Sequence, residues 1–176
     1  MNTKDNRKGS NNAGFTIVEL MVTLAVAAIL ATFALPALTD FLDQRTTTAR
    51  IIDFVFAVNY ARSEATKLGA PVSIQAVDAS ANGNEWGPGY CVVVGTPGNC
   101  NAPVLRSFQP LNGMTLNGTA GFNNVGTLTF NSRGMLTLGV AGTVQLCSTD
   151  VTRDPGREVS ISVIGRAATE QFICHP

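Results

Sequence analysis

Residues of a type and spacing suited to catalysis are few in this chain. The one histidine, His175, stands near the C-terminal end. No carboxylate pair at a recognisable spacing, G-x-S-x-G turn or phosphate-binding glycine loop accompanies it. A zinc site wants ligands as close as C-x-x-C, and the cysteines form no such pair. The chain therefore reads as something other than an enzyme, needing neither cofactor nor metal.

One carboxylate stands at the edge of a membrane-length run, where it either lies in the interfacial headgroup zone or serves a purpose. Glu19 lies four positions after Phe15, just before a run from Leu20 to Leu35 that holds no charge and only two hydroxyls, Thr23 and Thr32. Within a membrane-crossing helix a carboxylate costs about 2.5–3.5 kcal/mol on insertion scales, so a plain anchor gains nothing from it. A cation beside it would offset that cost. The nearest candidate is a free amino group on Phe15, which exists only if the bond after Gly14 is cut. In a helical assembly, Glu19 of one subunit would pair with the N-terminus of its neighbour and set the axial register.

The other reactive side chains are cysteines and arginines. Cys91, Cys100, Cys147 and Cys174 all lie beyond the apolar run, and an even count in a region rich in Gly, Ser, Thr and Asn suggests an oxidising compartment. Four cysteines allow three pairings. Cys91 with Cys100, closing a Pro-Gly loop, and Cys147 with Cys174, tying down the last strand, are favoured, and the other pairings stay open. Lys and Arg total 12 against 12 Asp and Glu, so no global field announces nucleic acid or an anionic surface. Arg106, Arg133, Arg153, Arg157 and Arg166 follow Lys67, interleaved with Asp150, Asp154, Glu158 and Glu170. Scattered solvent-facing arginines are the plainer reading of that pattern than a DNA patch.

These residues need elements to place them. Residues 1–14 are polar, with Lys4, Arg7 and Lys8, and read as a leader held in the cytoplasm. From Phe15 to Leu38 a helix would rise about 36 Å at ~1.5 Å per residue, enough to span a ~30 Å hydrocarbon layer. Residues 39–176 then form one domain on the outer side, starting with an amphipathic helix over 39–68. Its apolar face is expected at Leu38, Phe41, Leu42, Ala49, Ile52, Val55, Phe56 and Ala57, with Phe54, Phe56 and Tyr60 in the core. Pro36 kinks the helix or bounds it. Gly69 and Pro71 end the amphipathic part. Strands are expected at 72–77, 90–94, 104–108, 127–130, 135–138, 143–147 and 158–164, with 112–126 as a mobile hairpin in preference to a contact surface. The class is α+β, a long N-terminal helix packed on antiparallel sheet.

"GFTIVEL" at Gly14–Leu20 resembles the cleavage and methylation motif of type IV pilins and type II secretion pseudopilins. "YARSEATKLGAPVSI" at Tyr60–Ile74, "LTFNSRGML" at Leu128–Leu136 and "REVSISVIGRA" at Arg157–Ala167 are similar to the GspH/FimT family within that group. The resemblance implies cutting between Gly14 and Phe15 by prepilin peptidase, N-methylation of Phe15, and Glu19 as the residue needed for assembly. It implies a type IV pilin-like fold and an inner-membrane protein with a single pass and a periplasmic domain. Its partners would be other minor pilins or pseudopilins and the major subunit, in a type IV pilus or type II secretion pseudopilus that it helps prime near the tip. As an alternative, some FimT-like minor pilins bind DNA during natural transformation through a Gly-Arg-x-Arg pattern. Here that pattern reads Gly165-Arg166-Ala167-Ala168, without the second arginine. Arg153, Arg157 and Arg166 would be the DNA-binding residues in that case.

Overall fold

The computed structural model describes residues 14–79, 83–101, 103–150 and 156–174, with the backbone alone at 36, 37 and 40. Residues 1–13, on which the expected leader falls, and Arg153 and His175 lie outside the described residues. The chain divides into two compact units, Met1–Asp40 and Phe41–Pro176. Helix α1, Ile17–Leu68, has residues in both.

In the first unit, α1 begins directly after Thr16. The Thr16 hydroxyl accepts the Glu19 N–H at 3.2 Å, and the Thr16 carbonyl accepts the Leu20 N–H at 3.1 Å. Thr16 is thus the N-cap and Glu19 the third helical residue, which is the spacing of a capping box. Ile17–Leu35 is long and apolar enough to cross a membrane, and every residue in it is exposed. Its two hydroxyls are satisfied inside the helix. Thr23 donates to the Leu20 carbonyl at 2.8 Å and Thr32 to the Ile29 carbonyl at 2.6 Å, which suits a lipid surround that offers no partners. The helix continues through position 36, so Pro36 does not bound it.

In the second unit, α1 turns Ile51, Phe54, Val58, Ala61 and Ala65 into the core, at spacings of three and four. This corrects the expected apolar face: Ile52 is 56% exposed and Phe56 41% exposed, while Phe54 is fully buried. Apolar residues occupy more than one side of this helix, so periodicity alone does not choose between them. The buried stripe is the one holding Ala57, Ala61 and Ala65, whose small side chains let strands approach. Gly69, in the left-handed region at φ 62°, closes the helix.

Eight strands follow among the described residues: β1 (Val72–Ala76), β2 (Tyr90–Val94), β3 (Val104–Phe108), β4 (Met114–Thr119), β5 (Thr127–Phe130), β6 (Gly142–Ser148), β7 (Gly156–Ile161) and β8 (Ala167–Phe172). They make two antiparallel sheets, ordered β3-β2-β1-β5 and β4-β6-β7-β8. One buried cluster joins α1 to both sheets through Ile74, Val92, Leu128 and Phe130 of the first and Leu116, Val144, Leu146, Val159 and Ile161 of the second.

Three elements differ from expectation. β4 runs through the stretch read as a mobile hairpin and buries Leu116. β8, Ala-Ala-Thr-Glu-Gln-Phe, lacks apolar alternation and exists because it pairs along β7 as an edge. Met135–Leu138 is no strand, and its link to the sheet is a single bridge from Leu136 to Phe130. Asn131 explains the last case. Its side-chain oxygen accepts the N–H groups of Arg133 at 2.9 Å and Met135 at 3.1 Å, and its carbonyl accepts the Gly134 N–H at 2.8 Å, curling the chain into a turn.

The loop before β2 is stitched to β4. The buried Glu85 carboxylate accepts the Gly83 N–H at 3.2 Å and the Gly118 N–H at 3.1 Å. Asn84 accepts the Leu116 N–H at 2.8 Å, and the Trp86 N–H donates to the Leu116 carbonyl at 3.1 Å. That alignment seats the Trp86 ring in the core, edge-on to Phe54 at 5.6 Å.

Candidate functional site

The N-terminal candidates sit together at the start of α1. Phe15 is 81% exposed, and Gly14, Phe15 and Thr16 precede the first helical turn. Glu19 is exposed in that turn, and its carboxylate makes no hydrogen bond or ion pair among the described residues. Its backbone, by contrast, is held by Thr16. The helix N-terminus and any amine on Phe15 therefore lie on the same end as an uncommitted carboxylate. Sequence reasoning passed over Thr16, although Thr-x-x-Glu is the recognisable signal of a capped helix start.

The cysteines are all paired. Cys91 is bonded to Cys100 with Cα atoms 5.9 Å apart, and Cys147 to Cys174 with Cα atoms 5.7 Å apart. The first folds its loop back over β1, where Cys100 Sγ lies 3.4 Å from the Gln75 carbonyl oxygen. Beneath it Ser73 and Thr129 share a hydrogen bond at 2.8 Å, and Thr127 donates to Gln75 at 2.6 Å, so the polar face of the first sheet is satisfied though buried. The second ties the segment after β8 to β6.

The three motif segments of the second unit meet at one place. Gly165 has φ 77°, and a Cβ there would stand 2.5 Å from the Gly134 carbonyl oxygen, 3.1 Å from Arg62 Cδ and 3.2 Å from the Phe130 ring. A Cβ on Gly134 would meet Arg62 Cγ at 3.0 Å and Thr66 Cγ2 at 3.2 Å. The Leu136 N–H donates to the Val163 carbonyl at 2.9 Å. Helix α1, the turn after β5 and the turn between β7 and β8 are thereby locked face to face. The three segments form a single packing knot.

Of the arginines proposed for DNA, the two that are described, Arg157 and Arg166, lie apart. Arg157 shares a face of β7 with the buried Val159 and Ile161, and it donates to Thr48 Oγ1 at 3.3 Å and the Gly156 carbonyl at 3.2 Å. Ile161 lies about 13 Å further along β7 at ~3.3 Å per residue, ahead of the turn that carries Arg166. Arg166 is exposed at that opposite end. Arg106 is also committed, its guanidinium lying 4.6 Å from the Phe56 ring and 5.6 Å from that of Phe108. Among the described residues no group of three or more His, Cys, Asp and Glu is arranged to hold a metal.

The family described as type II transport protein GspH matches residues 53–165. The chain belongs to the GspH family. The prokaryotic N-terminal methylation motif matches residues 9–35, a span that includes Gly14, Phe15 and the start of α1. Crystal structures of the Pseudomonas aeruginosa PAO1 type IV minor pilin FimU share the fold in two crystal forms. One has a TM-score of 0.59 at 29% identity, over 74% of this chain and 92% of FimU, and the other 0.58 at 31% identity, over 70% and 91%. No curated protein sequence matches the chain. Membership of the GspH family makes it a structural subunit of the minor pilin or pseudopilin kind, membrane-anchored through its apolar helix, working in assembly with other pilin-like chains. The family and the fold are those of structural proteins, and the fold is the type IV pilin-like α+β arrangement anticipated above.

Proposed function

We propose that this GspH-family chain helps prime assembly near the tip of a type IV pilus or type II secretion pseudopilus. The observation that carries the reading is the uncommitted carboxylate of Glu19, displayed in the first turn of α1 within Ile17–Leu35, a stretch of membrane length that is otherwise uncharged. Prepilin peptidase cuts between Gly14 and Phe15 and methylates the new amine. The basic leader stays in the cytoplasm, the helix makes a single pass through the inner membrane, and the second unit lies in the periplasm. In lipid the Glu19 charge is costly alone and favourable beside a neighbour's Phe15 amine, because Coulomb attraction grows as the dielectric falls. The new subunit is therefore drawn into register as it leaves the bilayer.

The experiment is Glu19→Ala in cells that build the filament. Membrane level should be unchanged while the amount in sheared filaments falls to background, and Glu19→Asp should keep part of it. Unaltered incorporation of Glu19→Ala would end the register mechanism. A DNA-binding role is the weaker reading, since duplex affinity scales with the number of neutralised phosphates and Arg157 is turned toward α1.

A further inference from the structure

We propose that a cleft beside Arg166 receives an acidic side chain of a neighbouring filament subunit; this rests on the filament role just given. The cleft, about 420 Å³, lies over Thr143, Ser160 and Ala168. Strand register sets these three side by side, Thr143 opposite Ser160 and Ser160 opposite Ala168. In the adjacent row Val144 and Val159 are buried, so alternation places the cleft on the outer face of the second sheet. Small side chains across three strands leave a furrow there, and its surface is mostly apolar.

Arg166 is the one ionisable residue among those described around the cleft. Its backbone is fixed at both ends: its N–H donates to Ser162 Oγ at 3.1 Å, and its carbonyl accepts the Ser162 N–H at 3.0 Å. The packing of Gly165 against Gly134 and Arg62 holds the same turn from behind. The guanidinium itself makes no hydrogen bond or ion pair among the described residues. An uncommitted guanidinium carried on a fixed backbone at the edge of an apolar furrow matches a planar carboxylate on a short aliphatic stem, which it grips through two N–H groups. Nucleic acid fits less well. It calls for several cations and for aromatic faces to stack bases, and among the described residues this cleft has one cation and no ring. The occupant is therefore an Asp or Glu flanked by small residues on another pilin-like chain.

The test uses the full chain in cells that assemble the filament, comparing its amount in sheared filaments with its amount in membranes. Arg166→Glu and the cleft-filling Ala168→Phe are each expected to lower the filament fraction roughly tenfold or more at unchanged membrane level, while Arg166→Lys keeps most of it. Selection for restored assembly in Arg166→Glu should return an acidic-to-basic change in a pilin-like subunit. If Arg166→Glu and Ala168→Phe both assemble normally while Glu19→Ala does not, the docking site is wrong and the filament role stands. If all three assemble normally, both readings fall. If assembly is normal and retention of duplex DNA by the detergent-solubilised full chain is lost in Arg166→Glu, the cleft is a phosphate site and the proposal is overturned.

Discussion

Tyr90 shows how a single residue reports on the core. It is 2% exposed, stacked on Phe108 at 4.7 Å and edge-on to Phe54 at 5.3 Å. Burial pushes its phenol well above the ordinary value near 10, the Asp53 carboxylate pushes it further, and Arg50 partly opposes both. A phenol whose folded value is raised keeps its proton when the unfolded chain has lost its own. Its contribution is therefore complete below about pH 10 and declines as pH rises beyond that. Thermal unfolding between roughly pH 9 and 12 should show stability dropping above pH ~10, with a shallower drop in Tyr90→Phe; equal slopes would show that Tyr90 is not the group responsible. The same scale holds the residue hardest to foresee. Nothing in Asn-Gly-Asn-Glu-Trp marks Glu85 as buried, because its second partner, Gly118, is 33 positions away.

Among elements, the turn between β7 and β8 is the most constrained. At Gly165 a side chain would meet both a left-handed backbone and the Gly134 carbonyl, whereas Gly98, at φ 75°, has nothing within 4 Å of the corresponding position. Gly98→Ala should therefore cost only the conformational penalty, about 1–2 kcal/mol, and Gly165→Ala clearly more. At ~2–4 °C per kcal/mol for a chain of this size, the two melting temperatures should separate by several degrees, with Gly165→Ala the lower. Coincident melting curves would show that the knot relaxes freely. Element reading from the sequence succeeded where the pattern was strong, as in β1, β2, β3 and β5. It failed at β4, where Gly118 and Asn117 look like a turn, and at β8, whose polar residues become a strand only once β7 offers a free edge.

For the molecule as a whole, the two disulfides brace different sheets with loops of different length. The pairs are 9 and 27 positions apart. Loop-closure entropy gives about 2–3 kcal/mol for the shorter and ~3–4 for the longer. Urea unfolding of Cys91→Ala with Cys100→Ala, and of Cys147→Ala with Cys174→Ala, should therefore show the larger loss in the second double variant. The opposite order would mean that the loop packed over β1 matters more than chain entropy.

At this scale it is also clear which features belong to the chain order and which to the fold. The apolar helix and the placing of Glu19 close to Phe15 at its start were both legible, because each depends on neighbours a few positions apart or on a run of like residues. That local information was enough to place the chain among pilin-like subunits. The long-range features were not legible: which helix face is buried, the division into two sheets, the convergence of three weak motifs at Gly134 and Gly165, and the separation of Arg157 from Arg166. Each of these depends on which strand edge and which small residue meet across distant positions, and such pairings are chosen by packing and hydrogen-bond satisfaction in three dimensions. Arg157 and Arg166 are nine positions apart in the chain, yet pairing along β7 sends one to α1 and leaves the other beside an open cleft.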